Sequence, residues 1–324
     1  MTAGDPPLHA VAVYESADDL RQRVLPFVHD GLTEGDTVLA IVSAEAATHL
    51  RAAMGADHKQ MRWQLPGVDH HSLGPRFSGL RSFLARQADA GNAVRLLTES
   101  PTEGDDGRTA AYLRFEAASN DAMGAYGFPW ACIYHRHRYP DPVLEHVSQV
   151  HPYVLGDDGR PAGSDAYLPP DTFLDAHPGP LSQVPPDPPL DIWLTVPGQL
   201  AKTRHTAAET AAWLGLPAED QYDFELATAE VLTNAVRHGE QPCRVRVWAT
   251  STHVVLRVDD QGPGDDIARK GFRPPDPSRG HLGGMGIWMI RQLADAVHVG
   301  TGPRGTAVEI QFPRGRPQSA AAEG

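Results

Sequence analysis

Apolar positions in the first half of the chain fall alternately into short continuous runs and into stretches with helical spacing. Residues 9–14 read as a strand, 20–31 as a helix, 37–42 as a strand and 44–54 as a helix. The rhythm continues with a helix over 79–90, a strand over 93–98, a helix over 109–123, a buried strand over 130–134 and a short helix over 144–149. Strands that take turns with helices predict an α/β layer fold on a largely parallel sheet. Across 155–189 the pattern stops, and prolines, glycines and aspartates with little periodicity give the composition of a linker.

From residue 190 the pattern resumes in a different order. A strand over 192–196 precedes a helix over 199–214, ended by Gly215 and Pro217, and a long helix over 220–238 that stops at Gly239. Two alternating runs, 243–250 and 253–259, are separated by a short polar turn and predict an antiparallel hairpin. A glycine- and proline-rich loop covers 262–283, a helix 286–294, and two strands, 296–300 and 306–312, close the pattern. The expected organisation is therefore an α/β protein of two domains, 8–154 and 190–313, with a linker over 155–189 and a flexible tail over 314–324.

Composition narrows the class. A chain of 324 residues, 41% hydrophobic and 21% charged, suits two soluble globular cores. The net charge of −13 disfavours direct attachment to nucleic acid or an anionic membrane, so proteins are the expected partners. The N-terminus has no basic-then-apolar pattern, and no run approaches the roughly 18 apolar residues of a membrane span. The two cysteines, Cys132 and Cys243, fall in different halves, which leaves neither a disulfide framework nor a four-cysteine zinc site and makes a reducing cytoplasm the expected location.

Four segments of the second half carry candidate chemistry. Glu230 and Asn234 lie four apart on a helix and share a face, which suits either a solvated pair or a site where one side chain binds a hydrated cation and the other handles a proton. The strand that follows runs into Asp260-Gln261-Gly262-Pro263-Gly264, either a tight turn or an aspartate that accepts a hydrogen bond from an exocyclic amine beside glycines that admit a flat ring. Gly280-His281-Leu282-Gly283-Gly284-Met285-Gly286 opens into a helix, where exposed N–H groups and the helix dipole suit a polyphosphate. Gly305-Thr306 opens the last strand with a hydroxyl. The dinucleotide pattern at Gly300-Thr301-Gly302-Pro303-Arg304-Gly305 leads into a strand rather than a helix and is discounted, and no P-loop pattern occurs.

In this order and spacing the four segments resemble the motifs of the Bergerat, or GHKL, ATPases over residues 190–313. The resemblance implies an α/β sandwich with helices on one face of a mixed, mostly antiparallel sheet, and ATP with Mg²⁺ as cofactors. It implies Asn234 as metal ligand, Asp260 as partner of the adenine amine and Glu230 as general base. Gly262, Gly264, Gly284, Met285 and Gly286 would shape the pocket and lid, and Thr306 would support the adenine side. Lys270 and Arg273 either offset charge on the transferred group or are solvated charges on a loop.

Within that superfamily the run from Glu225 through Glu230 and Asn234 to Gly239, with the stretch from Gly286 to Asp295, resembles the anti-sigma-factor serine kinases. This implies phosphorylation of a serine or threonine on a STAS-type antagonist, binding of a sigma factor and a homodimer. The alternatives are an ATP-dependent binding switch that moves no phosphate and a histidine-kinase-like protein. The latter needs a helical hairpin with an acceptor histidine, which the proline-rich 155–189 does not provide. His205, followed by Thr206-Ala207-Ala208, reads as a helix-surface histidine.

In the first half, Tyr14-Glu15-Ser16, Asp30-Gly31-Leu32, Glu34-Gly35-Asp36, Leu113-Arg114-Phe115-Glu116, Ala131-Cys132-Ile133-Tyr134 and His151-Pro152 together resemble the MEDS sensory domain. That implies a RecA/KaiC-like three-layer core without its phosphate loop. The sequence departs from the pattern at His135, where an acidic residue is usual. Cys132, His135, His137 and His151 admit a metal site. The alternation of Cys132 with Ala131 and Ile133 instead favours a packed cysteine in a core strand. Glu116 either lines a sensory pocket or is a surface carboxylate.

Overall fold

The computed structural model describes residues 8–66, 68, 72–102, 104–262, 267–275, 285–303 and 305–315, apart from the side chains of Pro197 and Ala268. The chain divides into two compact units, Met1–Asp69 with Arg76–His177, and His70–Pro75 with Pro178–Gly324.

The first unit follows the alternation of strand and helix. Its elements are β1 (His9–Tyr14), α1 (Ala17–Glu34), β2 (Thr37–Ile41), α2 (Ala44–Met54), β3 (Arg62–Trp63), α3 (Leu73–Asp89) and β4 (Val94–Glu99). They continue as α4 (Asp106–Ala122), β5 (Trp130–His135), α5 (Asp141–Val150), β6 (Tyr153–Leu155), β7 (Pro161–Gly163) and α6 (Pro170–Ala176). The sheet runs β3-β2-β4-β5-β1-β6-β7, parallel throughout except for the last pairing. All six residues of β4 are buried, the pattern of a strand covered on both faces. Local signals set the ends of α1: the Ser16 side chain accepts the Asp19 N–H at 3.2 Å, and Gly35 at φ 82° stops the helix.

The segment read as linker contains β7 and α6. Pro170 sits at the first turn of α6, where its missing N–H costs nothing, so the proline that reads as a breaker here opens a helix. Phe173 and Leu174 on α6 are buried, and α6 packs on α4. That cover is why α4 is enclosed on nearly every side from Ala111 to Asn120. The Arg114 guanidinium donates to the carbonyls of Leu174 at 2.8 Å and His177 at 2.5 Å, and burial lowers its pKa to about 10.

The second unit holds β8 (Leu190–Leu194), α7 (Leu200–Trp213), α8 (Gln221–His238), β9 (Cys243–Ala249), β10 (His253–Asp260), α9 (Met285–Leu293), β11 (Ala296–Gly302) and β12 (Gly305–Pro313). Its sheet runs β11-β12-β10-β9-β8, and all four pairings are antiparallel, where a mixed sheet was expected. β10 and β11 do run the same way, each being antiparallel to β12. β12 inserts between them, so no two parallel strands pair. One sheet face, with Val245, Leu256 and Ile310, meets Phe224 and Val231 of α8 and Ile290 of α9 in a single apolar core. No helix among the described residues is long and apolar enough to cross a membrane.

Candidate functional site

The helix α8 carries Glu230 and Asn234 on the face beside α9, with Ala227 and Val231 turned into the core. Both polar side chains are half-buried. The start of α9 comes so close to them that a Cβ on Gly286 would stand 2.5 Å from Glu230 Oε2 and 3.3 Å from Asn234 Nδ2. A side chain at this position would have to push aside the tip of Glu230. Among the described residues neither side chain has a hydrogen-bond partner.

Behind this point Arg291 clamps α9 to the segment before it. Its guanidinium is 2% exposed, lies 3.8 Å from the Phe272 ring centroid, and donates to the carbonyls of Lys270 at 2.9 Å and Val297 at 3.0 Å. Gly271, at φ 84°, brings its backbone against Ile287. Lys270 and Arg273 are exposed, and the Lys270 carbonyl takes part in fixing this segment by accepting from Arg291.

Asp260 ends β10 in register with Thr306 on β12. Its Oδ1 accepts the Gly262 N–H at 2.8 Å. The Thr306 hydroxyl, buried, donates to the Gly262 carbonyl at 3.0 Å, so the hydroxyl ties the glycine turn to the last strand. Three glycines allow this crowding: a Cβ on Gly239 would meet Asp260 Oδ1 at 2.6 Å, one on Gly262 would meet the Gly239 Cα at 2.9 Å, and Gly305, at φ 118°, lies against the Asp260 and Gln261 backbone. Burial pushes the Asp260 carboxyl above the usual carboxylate range, with the Gly262 and Glu240 N–H groups opposing and the Asp259 and Glu240 charges adding to the rise. A partly desolvated carboxylate at a strand end, walled by glycine backbone, suits an amine donor on a flat ring.

The residues named from the sequence thus form two adjacent groups on the C-terminal half of α8. Glu230, Asn234 and Gly286 make one, and Asp260, Gly262 and Thr306, joined by Gly239, make the other. Met285 opens α9 with its side chain 59% exposed. Gly264 and Gly284 lie outside the described residues. Gly239 and Arg291 were not singled out by sequence reasoning. The first was read as a helix stop, and the second lay unremarked in the stretch from Gly286 to Asp295. His205 sits exposed on α7 beside Glu209 at 3.3 Å, as expected of a surface histidine.

The first unit holds two further polar features. A cavity of about 380 Å³ opens at the carboxyl ends of β2 and β4, lined among others by Ser43, Gln64, Arg76, Glu99 and Arg138. This is the end of a parallel sheet where ligands usually bind. Glu99 Oε2 accepts the Ser43 N–H there at 2.7 Å. Cys132 is buried in β5, but its polar neighbours are His9, Glu116 and His151 rather than His135 and His137, which lie at and beyond the strand end. Glu116 is fully buried, which rules out a surface carboxylate, because α5 and α6 cover the side of α4 that the sequence left open.

Comparison with known proteins agrees with this division. A model of the histidine kinase-like ATPase domain matches residues 194–312, and one of the MEDS domain (MEthanogen/methylotroph, DcmR Sensory domain) matches residues 8–152. Two relatives, both the serine-protein kinase RsbW of Bacillus licheniformis, are 33% identical over 110 residues and 31% identical over 109. Each match covers 30% of this chain and 67% of the relative. Among solved structures, the RsbU and RsbW domains of Rv1364c from Mycobacterium tuberculosis align at TM-score 0.29 and 22% identity, over 41% of this chain and 34% of that one. The histidine kinase domain of the E. coli osmosensor EnvZ aligns at TM-score 0.24 and 18% identity, over 44% of this chain and 100% of that one. On its similarity to RsbW and its two matched domains, this chain belongs to the family of RsbW-like anti-sigma kinases of the GHKL type, with a MEDS sensory domain preceding the ATPase domain.

Proposed function

We propose that the second unit binds ATP with Mg²⁺ and transfers the γ-phosphoryl group to a serine or threonine of a STAS-type anti-sigma-factor antagonist, thereby setting how much sigma factor the chain holds. The observation that carries this reading is the placement of Glu230 and Asn234 together at the Gly286 backbone. A carboxamide oxygen is a hard ligand suited to Mg²⁺, which neutralises phosphate charge when bound. Asn234 orients that ion, and Asp260 accepts the adenine amine. Glu230 takes the proton of the acceptor hydroxyl as its oxygen bonds to the γ-phosphorus and ADP leaves. Gly264 and Gly284 belong to the lid in the same reading, and the active form is a homodimer.

The first unit is the input side of this proposal. The cavity between Arg76, Glu99 and Arg138 is the place for a small polar effector, and a RecA/KaiC-like core is the fold we assign to it, supported by the parallel sheet with crossover helices.

The test uses the full chain with a cognate antagonist and radiolabelled ATP. Glu230→Ala is expected to keep ATP binding and lose labelling of the antagonist. Asp260→Ala is expected to lose nucleotide binding, and unchanged binding would remove the assignment of the site. If wild-type chain binds ATP but labels no antagonist, the chain is an ATP-dependent binding switch instead.

A further inference from the structure

Four side chains from four separate elements meet inside the first unit: His9 at the start of β1, Glu116 on α4, Cys132 in β5 and His151 just after α5. All four are buried, with at most 2% exposure, and one donor atom from each lies within 4.8 Å of the others. A random assortment of polar groups in a core is costly unless each finds a partner. Apart from the His9–Cys132 contact within the cluster, the partners that do exist lie on its outside.

The hydrogen bonds fix which atoms face inward. The Asn120 amide nitrogen donates to the carbonyls of Ala117 at 3.2 Å and Val150 at 2.9 Å, so its oxygen faces His9 Nδ1 at 3.0 Å. His9 Nδ1 therefore carries the proton, and Nε2 presents a lone pair 3.3 Å from the Cys132 sulfur. His151 Nδ1 lies 2.7 Å from the Val147 carbonyl, which can only accept, so its Nε2 is also a bare lone pair. That Nε2 has no hydrogen-bond partner, and neither does Glu116 Oε1. The other Glu116 oxygen accepts the Tyr134 hydroxyl at 2.5 Å. The Trp130 indole N–H donates to the Thr98 hydroxyl at 2.6 Å, which leaves that hydroxyl's own hydrogen for Cys132 Sγ at 3.2 Å.

We infer that His9, Glu116, Cys132 and His151 form a binding site for a divalent transition-metal ion of borderline softness, with Zn²⁺ the best match. One thiolate, two imidazoles and one carboxylate make a four-ligand set typical in kind of zinc. Every ligand is held by a second hydrogen bond: His9 to Asn120, His151 to Val147, Glu116 to Tyr134 and Cys132 to Thr98. Tetrahedral zinc with these bond lengths separates its donors by about 3.3–3.6 Å. The His9–Cys132 pair already has that spacing, and the widest pair closes by about 1 Å. Charge balances as well: the Cys132 thiol gives its proton to solvent on binding, and thiolate plus carboxylate then cancel the two positive charges of the ion. The ion would cross-link β1, β5, α4 and the turn after α5, which are four elements far apart in sequence.

The experiment is a Co²⁺ titration of the full chain after treatment with a chelator, followed by Zn²⁺ competition. One equivalent of Co²⁺ is expected to give a thiolate-to-cobalt charge-transfer absorption that Zn²⁺ abolishes. Because the chain has only two cysteines, Cys243→Ala assigns the band without touching the site and is expected to keep it. A His135→Ala/His137→Ala double variant should also keep it. Cys132→Ser should lose the band, and His151→Gln should weaken binding at least about tenfold. Absence of the band at one equivalent in the wild-type chain overturns the proposal. So does a band that vanishes in Cys243→Ala, and that result stands even if Cys132→Ser fails to fold.

Discussion

The two polar centres of this chain are built by opposite rules. Around Glu230, Asn234 and Asp260 the walls are glycine backbone, and the functional side chains stand half-buried beside space that a single Cβ would fill. Around Glu116 the walls are other side chains, every polar group is enclosed, and second hydrogen bonds hold each one in place. The first arrangement keeps its functional side chains partly open to solvent, as the proposed nucleotide would require. The second leaves room for one atom. Disturbing the glycine-walled centre should therefore change chemistry more than stability, and disturbing the enclosed one should do the reverse.

The largest effect expected is on phosphoryl transfer. Glu230→Gln keeps the size of the side chain and removes the base, and should slow labelling of an antagonist by about 10²–10⁴-fold with ATP affinity held within about threefold. A loss of affinity instead would make this face of α8 a binding surface only. Gly305→Ala is the exception that sharpens the rule: at φ 118°, with its Cβ against the Asp260 and Gln261 backbone, nothing soft can give way, and denaturant unfolding should show a loss of about 3 kcal/mol.

Asp260→Asn should weaken ATP binding by about 10–100-fold in a nucleotide titration. Burial raises the folded-state pKa of Asp260 above its unfolded value, so the fold binds its proton more readily than the unfolded chain does. Its contribution to stability consequently falls as pH rises from the unfolded to the folded pKa. If Asp260 accepts the adenine amine as proposed, ATP binding should weaken as pH falls through the folded pKa, starting higher than the usual aspartate value of about 3.9. Titrations at several pH values should show this slope in wild type and its absence in Asp260→Asn.

For the enclosed centre, Tyr134→Phe removes the hydroxyl that Glu116 accepts and should cost about 1–3 kcal/mol of stability in thermal or denaturant unfolding, with transfer rates unchanged. The smallest stability change expected is for Gly286→Ala. The new Cβ meets the tip of a flexible glutamate, so unfolding should shift by no more than about 0.5 kcal/mol. Displacement of Glu230 should nevertheless lower phosphoryl transfer about 10–100-fold.

The same contrast explains what could be read in advance. Glycines and polar residues at fixed offsets within one helix, one strand end and one helix start leave a linear trace, so Glu230, Asn234, Asp260, Gly286 and Thr306 could be named from the sequence. The hairpin of β9 and β10 was equally plain, because alternation at period two has few other solutions. The enclosed cluster leaves no such trace. His9 is one polar residue at the start of an apolar strand, Glu116 one carboxylate on a helix, and only the parallel pairing of β1 with β5 brings His9 beside Cys132. The insertion of β12 between β10 and β11 is similarly a matter of long-range pairing, invisible to local pattern. β3, with two residues, is too short to show a period.

The docking of α6 on α4 bears on how this protein can be taken apart. A fragment cut at residue 152, where the resemblance to the MEDS domain ends, would remove the carbonyls of Leu174 and His177 from Arg114 and strip the apolar cover that Phe173 and Leu174 supply. A guanidinium meant for an enclosed niche would then face water on a bared helix, inviting self-association. Expression of the sensory half for crystallisation or ligand screening should accordingly run through His177, the last residue of the first unit.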